Sequence, residues 1–364
     1  MKQIARLLAL ILIATSMAAC VKETPRPEPE PEPDRSNWPA AVQHDYTPGD
    51  ARKPRSMVCY GDKVYVSCGY PAAILRIDTA EGRIDRILSF DSKYDLEGIA
   101  VAGGKLFVAS SWNTTSSGAT VFDNRIFVVD ANSFSLTGVI TVPDDPQRVV
   151  AVDDSHLLVT CGNGYNVPTT SVLIDANSLG VTELGREITA LDVHNGLVYT
   201  YSGGYTSTAT FYSLDPLANT TDTILANCGI SYPYSINCIG DRIYVTTQDI
   251  YGGAGDVVCF ATDGTQLWRS EAGMLPSKVA AIGDGTAYVL NEGNWGGNEA
   301  SLSRIDLATG SITNNVFSAA NGRDLGDVAQ DLVVYGTKAY VTVSFSNTVE
   351  IIKKSDNTAT QIRL

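Results

Sequence analysis

Residues 63–88 read KVYVSCGYPAAILRIDTAEGRIDRIL. A strand-like run, Lys63-Val64-Tyr65-Val66, meets a loop at Gly69-Tyr70-Pro71. A second run, Ile74-Leu75-Arg76-Ile77-Asp78, ends in the polar turn Thr79-Ala80-Glu81-Gly82, and a third extends from Arg83 to Leu88. Short β-branched and aromatic runs punctuated by Gly, Pro and Asp are strands joined by tight turns. An apolar strand precedes each such unit, and the unit recurs seven times. Lys63-Val64-Tyr65-Val66 is matched by Lys105-Leu106-Phe107-Val108, His156-Leu157-Leu158-Val159, Leu197-Val198-Tyr199, Arg242-Ile243-Tyr244-Val245, Ala287-Tyr288-Val289 and Lys338-Ala339-Tyr340-Val341. Their spacing of about 40 to 52 residues is that of propeller blades. The third strands keep the register, with Asp78, Asp130, Asp175, Asp215 and Asp306 at their ends. The sequence therefore predicts an all-β fold, a seven-bladed β-propeller of four-stranded antiparallel blades. A two-domain sandwich would not repeat one four-strand register seven times. The last unit ends at Leu364, so blade seven is expected to dock directly on blade one. The stretch from Trp38 to Tyr46 is left to add an outer strand or a cap.

The chain before this repeat has a different logic. Lys2 and Arg6, the apolar run Leu7 to Ile13 and the small residues up to Ala19 form an export signal over residues 1–19. The apolar run is far shorter than the roughly 20 residues a spanning helix needs. Ser16-Met17-Ala18-Ala19-Cys20 resembles a bacterial lipobox, which makes Cys20 the expected lipidation site. Lys22-Glu23 resembles an outer-leaflet sorting signal. Residues 20–37 then carry alternating prolines and carboxylates from Pro25 to Asp34. Proline fixes φ and like charges repel, so this segment is expected to be an extended spacer of roughly 30 Å. The propeller is assigned to residues 38–364. Localisation is expected at the outer membrane through the lipid alone, facing the exterior.

A net charge of −14 excludes a nucleic-acid partner, which requires clustered Lys and Arg. Besides Cys20 the cysteines are Cys59, Cys68, Cys161, Cys228, Cys238 and Cys259. They lie scattered in strand-like runs and read as buried thiols, with Cys228 and Cys238 the one pair worth checking as a disulfide. No C-x-x-C pair occurs, and three histidines are too few and too dispersed for a structural zinc site.

Function in such a ring concentrates on the loops joining second to third strands, and on those leading into each first strand. These loops offer Tyr70, Trp112, Tyr165, Tyr205, Tyr251 and Trp295, flanked by Gly, Ser, Thr and amides such as Asn291 and Asn294. Rings bordered by amides suit a large, neutral, amphipathic ligand; the alternative is that they pack on neighbouring blades. No catalytic residue is assigned. His156 and His194 fall at the opposite face, beside first-to-second strand turns, which leaves no histidine for a triad or a metal-activated water. The loop-face carboxylates Asp95, Glu97, Asp144, Asp145, Asp249, Glu292, Glu299, Asp324 and Asp327 read as solvated charge. An acid/base pair among them, or a cation site at Asp324 and Asp327, is the alternative.

Residues 288–306, YVLNEGNWGGNEASLSRID, followed by ANGRDLGDVAQD at 320–331, resemble the signature of YncE-like propeller lipoproteins of gut Bacteroidetes. The blade pattern extends the resemblance over residues 55–364. It implies a surface protein without a catalytic cofactor, and the BtuG-type members imply capture of cobalamin or a related corrinoid for a TonB-dependent outer-membrane transporter. It also adds Arg323 to the ligand-binding set. In those members the Asn-Glu-Gly-Asn signature lies near the mature N-terminus, whereas here it falls in the sixth blade; a closed ring relates the two cyclically. Glycan binding is the second expectation, a structural surface role the third, and a lactonase or lyase the last.

The acylation reading makes a direct forecast. Cys20→Ala is expected to shift the protein from the detergent phase to the aqueous phase in a partitioning assay. Wild-type protein recovered in the cytoplasm would contradict it.

Overall fold

The second strand of each repeat explains why the units stack. In five of seven units this strand is buried on both faces beyond its first residue, as in Lys63–Cys68, Arg242–Thr247 and Lys338–Val343. A strand covered on both sides reads as a continuous apolar run rather than an alternating one. The fourth strands lie outermost and are largely exposed, as at Val181–Glu183 and Thr220–Leu225. The structure, a computed structural model, describes residues 35–36, 38–162, 166–188, 190–205, 207–226 and 228–364. Cys20, the spacer at 25–34 and Tyr165 lie outside the described residues.

Trp38–Leu364 forms a seven-bladed β-propeller with the blades in chain order. Seven hydrophobic clusters divide the core, one at each blade junction. Phe90, Tyr94 and Phe127 join blades one and two, and Tyr201, Phe211 and Phe260 join four and five. The aspartates ending the third strands have a local task. Asp78 accepts from the N–H groups of Ala80 and Glu81 at 2.9 and 2.8 Å, and Asp175 and Asp306 repeat the arrangement. Each closes an Asx turn into the fourth strand. Lys63, which donates to Asp78 at 2.6 Å, and then these bonds to the ionised form bring the Asp78 carboxyl down to about 2.

The ring closes without exchanging a strand. Blade seven packs Tyr340, Val349 and Ile351 against Val64, Val66, Leu75 and Ile77 of blade one. Neighbouring first strands are not paired as a sheet, so their N–H groups need other acceptors. Asp331 supplies one at the closure. Its Oδ2 accepts from the Met57 N–H at 2.7 Å and the Ser56 hydroxyl at 3.2 Å, and its Oδ1 accepts from Lys278 Nζ at 2.6 Å. One buried carboxylate thus ties blades six, seven and one. Asp192 and Asn237 serve the Cys238 and Val279 N–H groups at the next junctions in the same manner. Thr342 Oγ1 donates to the Arg55 carbonyl at 2.8 Å, and Lys338 Nζ to the Thr79 carbonyl at 2.6 Å. The choice for the N-terminal segment falls to an outer strand. Ala41–His44 pairs antiparallel with Ile87–Phe90 as a fifth strand on blade one. Tyr46 then donates to the Arg363 carbonyl at 3.1 Å across the seam.

Two local expectations are corrected. The fourth strand of blade six, which the four-stranded repeat predicts after the third strand ending at Asp306, is reduced to Ile312–Thr313 and gives way to a helix, Val316–Asn321. Asn315 enters the left-handed region at φ 57° and turns the chain, so that Val316 and Phe317 bury against Leu302 and Leu325. Trp112, expected on a loop, lies in the strand Lys105–Thr114. There the second and third strands of blade two continue as a hairpin past the fourth strand, Trp112 pairs with Asp95 of the first strand, and its ring meets Phe122 at 4.2 Å between ring centroids.

Removing a carboxylate that holds a part-buried ammonium and a buried N–H at once leaves both unpaired. Asp331→Ala is expected to cost about 3 kcal/mol in urea unfolding, whereas deleting residues 38–44 should cost less, since the strand it removes is half-exposed and outermost. Equal losses from the two changes would show that the seam is not held by Asp331.

Candidate ligand-binding face

The first strands carry a shared irregularity at the end facing the second-to-third loops. The register slips between Pro54 and Met57, Leu96 and Ile99, Pro146 and Arg148, Pro233 and Ser235, Pro276 and Lys278, and Ala329 and Asp331. Six blades thus bear a β-bulge at the same height, and bulges re-aim side chains. The extra residues include Arg55, Glu97, Gln147, Tyr234, Ser277 and Gln330. Proline opens four of these strands, in keeping with its confinement to strand starts and bulges. Gly98 is needed where blades two and three come together, because a Cβ there would lie 2.7 Å from the Gln147 carbonyl oxygen.

These side chains join into a chain around the mouth of the ring. Glu97 Oε1 lies 3.5 Å from Arg55 Nη2, and Arg55 Nη1 donates to Gln330 Oε1 at 3.2 Å. Gln330 and Tyr234 in turn hydrogen-bond the Glu292 carboxylate. The path runs through blades two, one, seven, six and five. Arg148 of blade three is exposed, and its charge acts on both Glu97 and Glu292. Arg55 Nε and Asp95 Oδ1 are buried and make no hydrogen bond among the described residues.

Burial governs the protonation of this floor. It pushes Glu97 up to about 7, aided by the neighbouring Asp95 and Asp145 and opposed by Arg55. Asp95 and Glu292 are also raised by burial, and so is the Tyr234 phenol, which faces Glu292. This corrects the reading of Asp95, Glu97, Asp145 and Glu292 as solvated charge. Asp145 is fully buried, and the other three are partly covered by the bulges and by one another. Asp324 and Asp327 hold a loop instead: Asp327 accepts from the Gly296 N–H at 3.0 Å and Asp324 from Asn298 Nδ2 at 3.1 Å. Among the described residues no group of three or more His, Cys, Asp or Glu side chains converges as a metal site.

The aromatic candidates surround this floor. Tyr70 is 54% exposed, Tyr205 63%, Tyr251 90% and Trp295 77%. Of the twelve large hydrophobic residues exposed among the described residues, these four plus Ile250 and Phe345 lie on second-to-third connections, and Val121 lies at the start of a third strand beside one. One face of the ring therefore holds seven of the twelve, from six blades. Trp295 approaches Phe345 at 5.8 Å, with Lys53 over the Phe345 ring at 5.8 Å. Tyr205 meets Tyr232 at 6.0 Å. Asn294 is exposed at the rim, its Nδ2 close to Gly252 beside Tyr251. Two sequence candidates have structural engagements. Asn291 is fully buried, accepts from the Gly273 N–H at 3.0 Å, and donates to Ser301 and Ser303 at 3.1 and 3.0 Å. Arg323 forms a two-pronged pair with the buried Glu350 at 3.0 and 2.6 Å. His156 and His194 bound first-to-second strand turns, at the far end of their strands from this rim.

No protein-family model matches the chain, and no curated protein matches it. Solved structures do resemble it. An uncharacterized protein of Listeria monocytogenes superposes with a TM-score of 0.57 at 10% identity, covering 89% of this chain and 98% of that one. The β-propeller domain of Cps50 (Swd1) from Myceliophteria thermophila gives 0.55 at 9%, covering 89% and 100%. BamB from Moraxella catarrhalis gives 0.51 at 12%, covering 89% and 90%. At these identities the likeness is one of fold.

The floor also makes a forecast about pH. A carboxyl raised from 4.5 to about 7 on folding binds its proton more tightly in the native state. Its contribution is most favourable below about pH 4.5 and is lost as pH rises through 7. Glu97→Gln should leave stability unchanged near pH 4.5 and raise it near pH 8 by at most about 3 kcal/mol, as read from urea midpoints. A difference independent of pH would contradict this account of Glu97.

Proposed function

We propose that this protein captures a large amphipathic small molecule on its second-to-third loop face, with a corrinoid such as cobalamin the best fit. The reading rests on one juxtaposition: exposed rings from several blades stand around a part-buried floor of donors and acceptors. A corrinoid presents a flat apolar macrocycle fringed with amides. Its faces would stack on Trp295, Tyr205 and Tyr251, while its amides would meet Arg148, Glu97, Gln147 and Asn294. The resemblance of residues 288–331 to YncE-like lipoproteins supports the same choice. In this reading Cys20 anchors the protein to the outer membrane, and the captured ligand passes to a TonB-dependent transporter. The protein then acts by binding and release, without turnover.

Calorimetry with cyanocobalamin is expected to give a saturable one-to-one isotherm, and soluble oligosaccharides none. Loss of one desolvated ring is worth on the order of 2 kcal/mol, or about thirtyfold in affinity. Trp295→Ala and Tyr205→Ala should each weaken binding by about that factor. Leu217→Ala, equally exposed but on a third-to-fourth strand turn, should not. A flat cobalamin titration with saturable oligosaccharide binding would replace the corrinoid by a glycan.

A further inference from the structure

The junction between blades three and four differs from the other six. Its hydrophobic cluster, built on Val152, Leu158, Leu191, Val198 and Leu214, is the one without an aromatic ring among the described residues. The first strand of blade four is short, Leu191–His194, where the other first strands run six to nine residues. Residues 184–188 pass over the blade as irregular chain instead. The result is a groove of about 420 Å³, within the size range of small-molecule sites. Arg186 and Ile188 form one wall, and Thr200, Tyr212, Thr221 and Thr223 of blade four form the other.

Thr200 is the informative residue. On the second strand, opposite Met57, Ile99, Val149, Ile236, Val279 and Leu332, six blades place a valine: Val66, Val108, Val159, Val245, Val289 and Val341. All six are fully buried. Blade four has Thr200 in this position, opposite Leu191. Threonine matches valine in shape but adds a hydroxyl. Thr200 is 0% exposed, lines the groove, and its Oγ1 has no hydrogen-bond partner among the described residues. A second orphan faces the same junction. Ser171 is fully buried with an unpartnered Oγ, and Leu173, two residues along the strand and so on the same face, packs into the cluster of this junction. A buried hydroxyl without a partner destabilises the fold, and valine would remove that cost.

We infer that the groove is a second ligand site, taking a neutral, hydroxyl-rich molecule of monosaccharide size. Tyr212 offers a ring face for the apolar side of a pyranose, and Ile188 closes the opposite wall. Thr200, Thr221 and Thr223 offer hydroxyls that both donate and accept. Arg186 is held by Asn219, with Nε to Oδ1 at 2.9 Å and Nη2 to the carbonyl at 2.8 Å. Glu187 also lines the groove, so its lining holds one base and one acid and no net charge, which favours an uncharged guest. This site shares no lining residue with the rim and floor described above and does not depend on the ligand proposed there.

The test uses the purified protein and a panel of free hexoses, D-glucose, D-galactose, D-mannose and L-fucose, followed by thermal unfolding and saturation-transfer NMR. At least one sugar should raise the wild-type Tm saturably, by about 2 °C at ten times its Kd. Thr200→Val should raise the Tm in the absence of sugar by about 2–4 °C and abolish the sugar-specific part of the shift. Any general osmolyte effect persists in that variant and cancels in the comparison. Tyr212→Ala should lose the saturation transfer. Sugar shifts equal in wild type and Thr200→Val, or a Thr200→Val protein no more stable than wild type, would mean that the groove holds ordered water only and would overturn the inference.

Discussion

The contact on which everything else depends is the seam between the last blade and the first. Six junctions join blades that follow one another along the chain, but the seventh must bring residues nearly 300 positions apart into register. Many rings would secure such a seam by lending a strand from one terminus to the opposite blade. Here the terminal strand stays within its own sheet, on the outside of blade one. Closure rests on the apolar contact of Tyr340, Val349 and Ile351 with blade one and on Asp331 reaching the Met57 N–H. Loop closure over such a length is entropically costly, so the ring holds only when packing and hydrogen bonds act together.

The candidate site inherits that constraint. Arg55 belongs to the first blade and Gln330 to the last, and their hydrogen bond is the link joining the two halves of the polar chain around the mouth. Separated blades would leave Arg55 facing Glu97 alone. Burial within the closed ring is also what raises Glu97, Asp95 and Glu292. The exposed rings above the floor play a different part, since they contribute little to the fold. Tyr251 and Trp295 expose most of their surface, which costs solubility unless something covers them.

The architecture was legible because its signals are local and repeated. Continuous apolar second strands and the aspartates closing Asx turns recur in nearly every unit, so the period could be counted. The rim was legible for the same reason, through Tyr70, Tyr205, Tyr251 and Trp295 between glycines and amides. The floor was not read. Arg55, Glu97 and Gln330 meet only because a bulge in each of their three first strands turns them inward, and such a slip in pairing leaves a faint trace in sequence. That trace is Pro54-Arg55, Pro146-Gln147, Pro233-Tyr234 and Pro276-Ser277, a proline followed by a polar residue at the start of an apolar strand. Asn291 and Arg323 stood within the stretch that carries the resemblance, yet their partners Ser303 and Glu350 lie on other strands that only the fold brings near. The helix at Val316–Asn321 escaped notice because six residues are too few to show a period.

The central claim is that the ligand lies across the rim and against the floor. Hydrogen–deuterium exchange with and without cyanocobalamin tests that placement directly. The account predicts slowed exchange in the loops at 202–205, 248–253 and 292–300 and at the bulges around 97 and 147, with no change at the first-to-second strand turns near 153–155 and 195–196. Protection confined to those opposite turns, or to one blade alone, would contradict it.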